Sequence, residues 1–474
     1  MYEIDFAHPV RVHFIGIGGI SMSGLAEILL DRGFRVSGSD NTPSDLTRGL
    51  EAKGICVMYP QKAENVTDDM ELVVYTAAIH PDNPEFAACE KAGLPMLTRA
   101  QLLGQIMRHY GRSVAVAGTH GKTTTTGMIG QILLAGEEEP TISIGGILPA
   151  IGGNIHVGSS DLFLTEACEY TNSYHHFFPK YNVILNVEED HMDFFKDLED
   201  IRASFRRFAG NTASDGVLVI NHGIERLGEL TEGLPCRVVT FGSEDSADYY
   251  PADVRVDANG VTRFTVMERP ATDAAAVSLG EVRLSVPGMH NVLNALASFA
   301  VTRLMGIPTE QIRQGLADFH GTGRRFEYKG DYHGAALYDD YAHHPTEIAA
   351  SLAAAESLPH RRLVVVFQPH TYTRTKAFLQ EFAEVLSRAD IVGLCPVYPA
   401  REEDIYGVHS EDIKRLIDER IEAKALDCRA KECHCFGTFE EAKNFLEKIS
   451  STGDLLITMG AGDVVKVGEM LLNP

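Results

Sequence analysis

The stretch Arg112–Gln131, RSVAVAGTHGKTTTTGMIGQ, restricts the possible fold of this chain more than any other. Ser113 to Ala117 is a small apolar run of strand type. It opens into Gly118, Thr119, His120, Gly121, Lys122 and Thr123, and Thr124 continues into a helical run that reaches Leu134. A strand, a glycine turn, Lys-Thr and a helix together can hold a polyphosphate, because backbone N–H groups of the turn and of the helix N-terminus face the anion. Lys122 is placed to reach the outer phosphates, and the Thr123 hydroxyl to reach a Mg²⁺ ion. The strict loop pattern has a glycine where this chain has Val116, so the loop is a glycine-poor variant. The bland alternative is an ordinary strand-to-helix turn with a solvent-facing lysine. GTHGKTTTT packs every group needed for phosphate binding into one short run, which weighs against it.

Length and charge narrow the partners. A chain of 474 residues has room for roughly three domains. A formal charge of −24 argues against nucleic acid or an anionic membrane as partner, and leaves small anions to be held by local Lys and Arg. The 8 cysteines form no CxxC pair, and no signal peptide or bilayer-length apolar run is present, so we expect a cytoplasmic protein with reduced thiols. Cys433-His434-Cys435 reads as a strand with alternating faces in preference to a metal site. Oligomeric state is not set by the sequence; monomer and homodimer are both compatible with it.

Ahead of the phosphate loop, a strand from Val10 to Ile15 meets Gly16-Ile17-Gly18-Gly19. A helix runs from Ile20 to Leu30, and a second strand, Phe34 to Gly38, ends at Ser39-Asp40. This is the start of a dinucleotide-type βαβ unit, with Asp40 able to take a ribose hydroxyl. Ser21 replaces the third fingerprint glycine, so a diphosphate at this helix N-terminus is a more general inference than a nicotinamide cofactor. Further strands and helices, with Arg99 just before the last helix, carry the first domain to about Tyr110.

Beyond the loop, Gly145-Gly146 and Gly152-Gly153-Asn154 are read as turns. Leu162 to Thr165 is a strand that ends in Glu166-Ala167-Cys168-Glu169. Val183 to Asn186 is a strand that ends in Glu188-Glu189-Asp190-His191. Acids and His at strand ends beside a phosphate loop are where an α/β fold puts Mg²⁺ ligands. Arg237 to Val286 reads as a small antiparallel β appendage. His290, Asn291 and Asn294 open a helix and could meet a base edge, the weaker alternative being a helix cap at Asn291. His320 to Arg325 looks like a hinge. A third set of alternating strands and helices follows, with His343, His344, His370 and Arg374 near strand ends.

GTHGKTTTT, TEACE, LNVEEDHMD, PGMHNVLNALA, GTGRRFE, DDYAHHPTE and FQPHTYTRT occur in the order and spacing of the Mur ligase family, and the resemblance spans essentially the whole chain. The alanine-adding branch is the nearest match. The resemblance implies three α/β domains. Residues 1–110 would be a Rossmann-like domain for the UDP-sugar, with Gly16, Gly18, Gly19, Ser21, Asp40 and Arg99. Residues 111–322 would be a central ATP-binding domain carrying the β appendage, and residues 323–474 a Rossmann-like amino-acid domain.

The implied reaction is ATP-dependent joining of L-alanine to the lactyl carboxylate of UDP-N-acetylmuramate through an acyl phosphate. Lys122, Glu166 and His191 would be catalytic, and Thr123, Glu166 and His191 would hold Mg²⁺ or Mn²⁺. His290, Asn291 and Asn294 would meet adenine, Arg325 and Asp340 the phosphates and ribose, and Asn154 phosphate or metal-bound water. His343, His344, His370 and Arg374 would take the amino-acid and carboxylate end.

Ile201 to Gly210 has no Lys, which fits the branch that does without a carbamylated lysine. Thr371 and the Tyr59–Lys62 loop depart from many relatives, and roles for Glu169 and His176 stay open. The other readings are a murein-tripeptide recycling ligase, a nicotinamide dehydrogenase and a non-catalytic nucleotide-binding module.

Overall fold

The computed structural model describes residues 2–76, 78–192, 194–257, 261–270, 275–400 and 402–473. The chain is a three-domain α/β protein built on three sheets. It divides into two compact units: Met1–Pro251 with Val266–Leu279 and Asn294–Leu316, and Ala252–Thr265 with Gly280–Leu293 and Ala317–Pro474.

The first unit contains a five-stranded parallel sheet in the order Cys56–Met58, Arg35–Ser39, Arg11–Ile15, Leu72–Tyr75, Met96–Thr98. Its central strands are short, nearly continuous apolar runs, as expected where helices cover both faces. Val12, Phe14, Leu72 and Val74 pack with Leu25 and Leu29 of the helix Ile20–Asp31.

The larger sheet of this unit is centred on Arg112–Ala117, flanked by Tyr181–Ile184 on one side and Leu162–Glu166 on the other, all parallel. Val217–Asn221 and Arg237–Phe241 extend it in parallel. Thr141–Leu148 and the antiparallel Gly153–His156 close the opposite edge. Three further strands, Tyr249–Val256, Thr262–Glu268 and Val277–Leu284, are sequential neighbours in the sheet order and are divided between the two units.

Two sequence expectations change here. Arg237–Phe241 is a parallel member of the core sheet, so the appendage begins after it. The glycine turns shift: Gly145-Gly146 lie within the strand Thr141–Leu148, and of Gly152-Gly153-Asn154 only Gly152 is a turn, Gly153 and Asn154 opening the strand Gly153–His156.

The second unit carries a six-stranded sheet in the order Glu327–Tyr332, Ala335–Asp340, Leu455–Met459, Leu363–Phe367, Ile391–Leu394, Glu432–Cys435. It is parallel except for its first pair, a hairpin that the sequence reading did not anticipate. On one face Ile348, Leu352, Phe382, Leu386, Ile413 and Ile417 pack on the sheet; on the other, Ala442, Leu446, Val467 and Leu471 do. Cys433-His434-Cys435 is an edge strand with Cys433 buried, and His434 lies 2.8 Å from Glu432. No helix among the described residues is long and apolar enough to cross a membrane.

Candidate active site

The phosphate loop follows directly from its glycines. Gly118 has φ +147° and would place a Cβ 2.9 Å from Leu185 Cβ; Gly121 has φ +83° and would place one 2.7 Å from Asn294 Oδ1. Side chains are strained at both positions, so the chain can turn here only as glycine. The segment that follows the neighbouring strand Tyr181–Ile184 then pins the loop. Asn186 Oδ1 accepts from the His120 N–H (2.8 Å), its Nδ2 donates to the His120 carbonyl (3.1 Å), and the Glu188 N–H donates to Thr119 Oγ1 (2.9 Å). Asn186 lies just beyond the strand Tyr181–Ile184, ahead of the acids, and nothing local in the sequence marks it as a clamp.

Lys122 opens the helix Lys122–Ala135, with Thr123 buried and Thr124 half-buried in its first turn. The Lys122 ammonium donates to the carbonyls of Gly118 (2.5 Å) and Thr119 (3.0 Å) and to both oxygens of Glu169 (3.1 and 2.9 Å). Burial disfavours its charge, but the Glu169 carboxylate prevails and raises its pKa. Glu169, whose role the sequence left open, is therefore the direct counterion of the loop lysine.

Glu166 ends its strand beside the loop. Its Oε2 accepts from Thr123 Oγ1 (3.2 Å), and its Oε1 accepts from the Gly145 N–H (2.6 Å). His191, at φ +54°, has Nε2 3.7 Å from Glu169 Oε1, and its ring stacks at a tilt on Tyr170. Asp193, the last residue of the LNVEEDHMD run, lies outside the described residues. The structure thus joins Thr123 to Glu166 and His191 to Glu169. Among the described residues no group of three His, Cys, Asp or Glu is arranged to hold a metal. One carboxylate and one hydroxyl beside a phosphate loop suit Mg²⁺, which binds through one or two carboxylates plus substrate phosphates and seldom in an all-protein cage.

The first glycine turn is assembled differently. Gly16 (φ +82°) and Ile17 donate to the Ser39 carbonyl at 2.9 and 3.0 Å. Asp40 Oδ2 accepts from the Gly18 N–H (2.8 Å), so the expected ribose-binding acid also holds the turn. Gly19 caps the helix Ile20–Asp31, and Arg99 donates to Ser21 Oγ at 3.1 Å, bringing a cation to that helix start. Burial lowers the Arg99 pKa. Asn154 Nδ2 donates to the Ile20 carbonyl (3.2 Å), so Asn154 stands at this turn.

The nearby Tyr59–Lys62 segment rests on a network the sequence did not reveal. Glu85 and His13, both fully buried, are 2.6 Å apart, and Glu85 Oε2 accepts from the Lys62 N–H (3.1 Å) and Asn65 Nδ2 (2.9 Å). A buried carboxylate persists only when its lone pairs are filled in this way.

In the second unit, the exposed His290 folds back over Gly288, and Asn291 Nδ2 donates to the Pro287 carbonyl at 2.7 Å, which is not the accepting geometry of an N-cap. Arg325 lies 3.9 Å from Glu347 and 5.0 Å from the Tyr341 ring centre. Asp340 accepts from the Ala342 N–H (2.9 Å) and Ser351 Oγ (2.6 Å), and burial pushes its pKa up to about 6. The neighbouring Arg324, read only as hinge charge, bonds Asp339 at 3.1 Å and the Gly460 carbonyl at 2.8 Å.

His343, His370 and Arg374 come together: the two rings are 5.5 Å apart, and Arg374 is 3.2 Å from His370 Nδ1. His344 caps the helix Pro345–Glu356 through Thr346 N and packs on Phe378. Thr371 adopts φ +67° and caps the next helix through the Arg374 N–H.

Comparison with known proteins accounts for this layout. Residues 11–111 match the model of the Mur ligase family catalytic domain, 116–302 the Mur ligase middle domain, and 324–462 the Mur ligase glutamate ligase domain. UDP-N-acetylmuramate–L-alanine ligases of Agathobacter rectalis and Lachnospira eligens are 55% and 53% identical to this chain, each covering 100% of both chains. Among solved structures, UDP-N-acetylmuramate-alanine ligase from Thermotoga maritima aligns with TM-score 0.78 and 28% identity over 98% of each chain. From the phosphate loop to the last strand of the third sheet, sequence and structure agree that this chain belongs to the Mur ligase family.

Proposed function

We infer that this protein is an ATP-dependent ligase that joins L-alanine to the lactyl carboxylate of UDP-N-acetylmuramate in the cytoplasm, making a peptidoglycan precursor. One observation carries the reading: a chain alike over its full length to alanine ligases holds Lys122 on Glu169 and Thr123 on Glu166 at a phosphate loop. A carboxylate is a poor electrophile toward an amine at neutral pH. It attacks the γ-phosphorus of ATP, ADP leaves, and an acyl phosphate remains. The amine of L-alanine then attacks the acyl carbon, loses a proton, and expels inorganic phosphate that keeps one carboxylate oxygen.

Lys122, Gly118–Gly121 and the helix N-terminus would neutralise charge on the transferring phosphoryl group. Thr123 and Glu166, with His191, would hold Mg²⁺ or Mn²⁺, which screens charge between nucleotide and phosphoryl oxygens. Gly16, Gly18, Gly19, Ser21 and Arg99 would bind the UDP diphosphate, with Asp40 at a ribose. His290, Asn291 and Asn294 would meet adenine, and Arg325 and Asp340 the remaining nucleotide. His343, His370 and Arg374 would take the amino acid and the reacting carboxylate. The domains serving these substrates are residues 1–110, 111–322 and 323–474.

The test is phosphate release from Mg-ATP with UDP-N-acetylmuramate, with each substrate omitted in turn and with glycine, L-serine or a murein tripeptide replacing L-alanine. Release that needs all three substrates, fastest with L-alanine, supports the reading. Release with the tripeptide and none with L-alanine moves the protein to the recycling branch.

A further inference from the structure

The strand Thr141–Leu148 is interrupted opposite Glu166. Against its antiparallel partner it advances from Ser143 to Leu148 while the partner steps only from Ile155 to Gly153, so the segment around Gly145–Ile147 bulges out of the ladder. Bulges of this kind re-aim groups next to active sites. Here the bulge frees the Gly145 N–H from the ladder and turns it onto Glu166 Oε1 at 2.6 Å, leaving Gly145 and Ile147 exposed. The other carboxylate oxygen takes the Thr123 hydroxyl at 3.2 Å. Glu166 is therefore gripped from both sides, one grip from the loop helix and the other from a backbone amide that no side chain can replace.

We propose that Gly145 is a positioning residue for the metal-binding carboxylate: its N–H fixes the rotamer in which Glu166, beside Thr123, meets a divalent cation. This inference rests on the ligase reading for the identity of the nucleotide and the cation. A glycine is needed for a steric reason as well. A Cβ at residue 145 would stand 2.9 Å from Glu166 Oε2 and 3.2 Å from Oε1, closer than real Cβ contacts come. The backbone of Gly145 lies outside the left-handed region, so alanine fits the chain itself. The crowded atoms are the far end of a flexible side chain. Gly145→Ala therefore leaves the sheet intact and swings the carboxylate aside.

The experiment titrates Mn²⁺ against full-length protein in the presence of ADP, read by electron paramagnetic resonance of free Mn²⁺, so no turnover is needed. Gly145→Ala is expected to weaken Mn²⁺ binding about 10-fold, as loss of an outer support to a metal ligand commonly does. Metal-free ADP affinity, UDP-sugar affinity and melting temperature should stay at wild-type values. In a Glu166→Gln background the Gly145→Ala effect should vanish, because the carboxylate it acts through is gone. Glu166→Asp, too short to span Gly145 and Thr123, should weaken Mn²⁺ binding by a similar factor. Wild-type Mn²⁺ affinity in Gly145→Ala, or an equal loss in the Glu166→Gln background, overturns the proposal. Failure of the ligase reading would appear separately, as wild-type protein that releases no phosphate with the three substrates.

Discussion

The first unit contains two glycine turns that each lead a strand into a helix, and they are finished with opposite chemistry. At Gly16–Gly19 the turn is held by backbone bonds to Ser39 and by Asp40, and Arg99 brings a cation to the helix start through Ser21. At Gly118–Gly121 the helix itself begins with Lys122, and carboxylates from adjoining segments, Glu169 and Glu166, grip that lysine and the following threonine. Both turns offer N–H groups to an anion. The second adds an ammonium and a carboxylate–hydroxyl pair, and under the proposed function these are what phosphoryl transfer needs and diphosphate binding does not. A shared backbone recipe is thus finished in two ways, and the neighbours make the difference; in the proposed function the first turn holds and the second reacts.

The largest expected effect comes from removing what distinguishes the second turn. Lys122→Ala should lower ligation-coupled phosphate release by about 10³-fold or more, since it removes charge stabilisation from the transferring group. UDP-sugar binding by calorimetry should stay near wild type; loss of both would mean the turns are not separate in function. Next is Arg99→Ala, which should raise the KM for the UDP-sugar roughly 30-fold, the worth of a charge-assisted hydrogen bond near 2 kcal/mol, with little change in kcat. A drop confined to kcat would move Arg99 from binding to chemistry.

These contrasts explain what the sequence could and could not reveal. Gly118, Gly121, Lys122 and Thr123 were legible as a strand, a glycine turn and a helix start because that unit is local, and so was the place of Glu166 at a strand end. Glu169 on Lys122, Asn186 on His120 and Arg99 on Ser21 are long-range pairings, fixed only when strands take their order in the sheets. Gly145-Gly146 was misread because two glycines signal a turn, whereas here they form a bulge inside a strand. The capping of the helix Pro345–Glu356 by His344 was not legible either, because it depends on where the helix starts at Pro345.

Smaller effects sharpen the comparison further. Asp40→Ala removes the carboxylate that receives the Gly18 N–H, and should cost about 1 to 2 kcal/mol in chemical denaturation while raising the UDP-sugar KM severalfold. An unchanged midpoint would mean the turn stands without Asp40. The smallest effect is expected at Cys168, which feels the charges of both Lys122 and Arg99, and whose thiol burial pushes up to about 11. At pH 8 iodoacetamide should label the exposed Cys56 well before Cys168, read by mass spectrometry, and Cys168→Ser should change turnover roughly threefold or less.

The central claim is that Lys122 and its neighbours activate a carboxylate by phosphorylating it. The most direct measurement uses UDP-N-acetylmuramate labelled with ¹⁸O in the lactyl carboxylate, together with ATP and L-alanine, and weighs the phosphate released. An acyl phosphate cleaved by the amine must leave one labelled oxygen in each phosphate formed. Phosphate that carries no label while product accumulates would contradict the account.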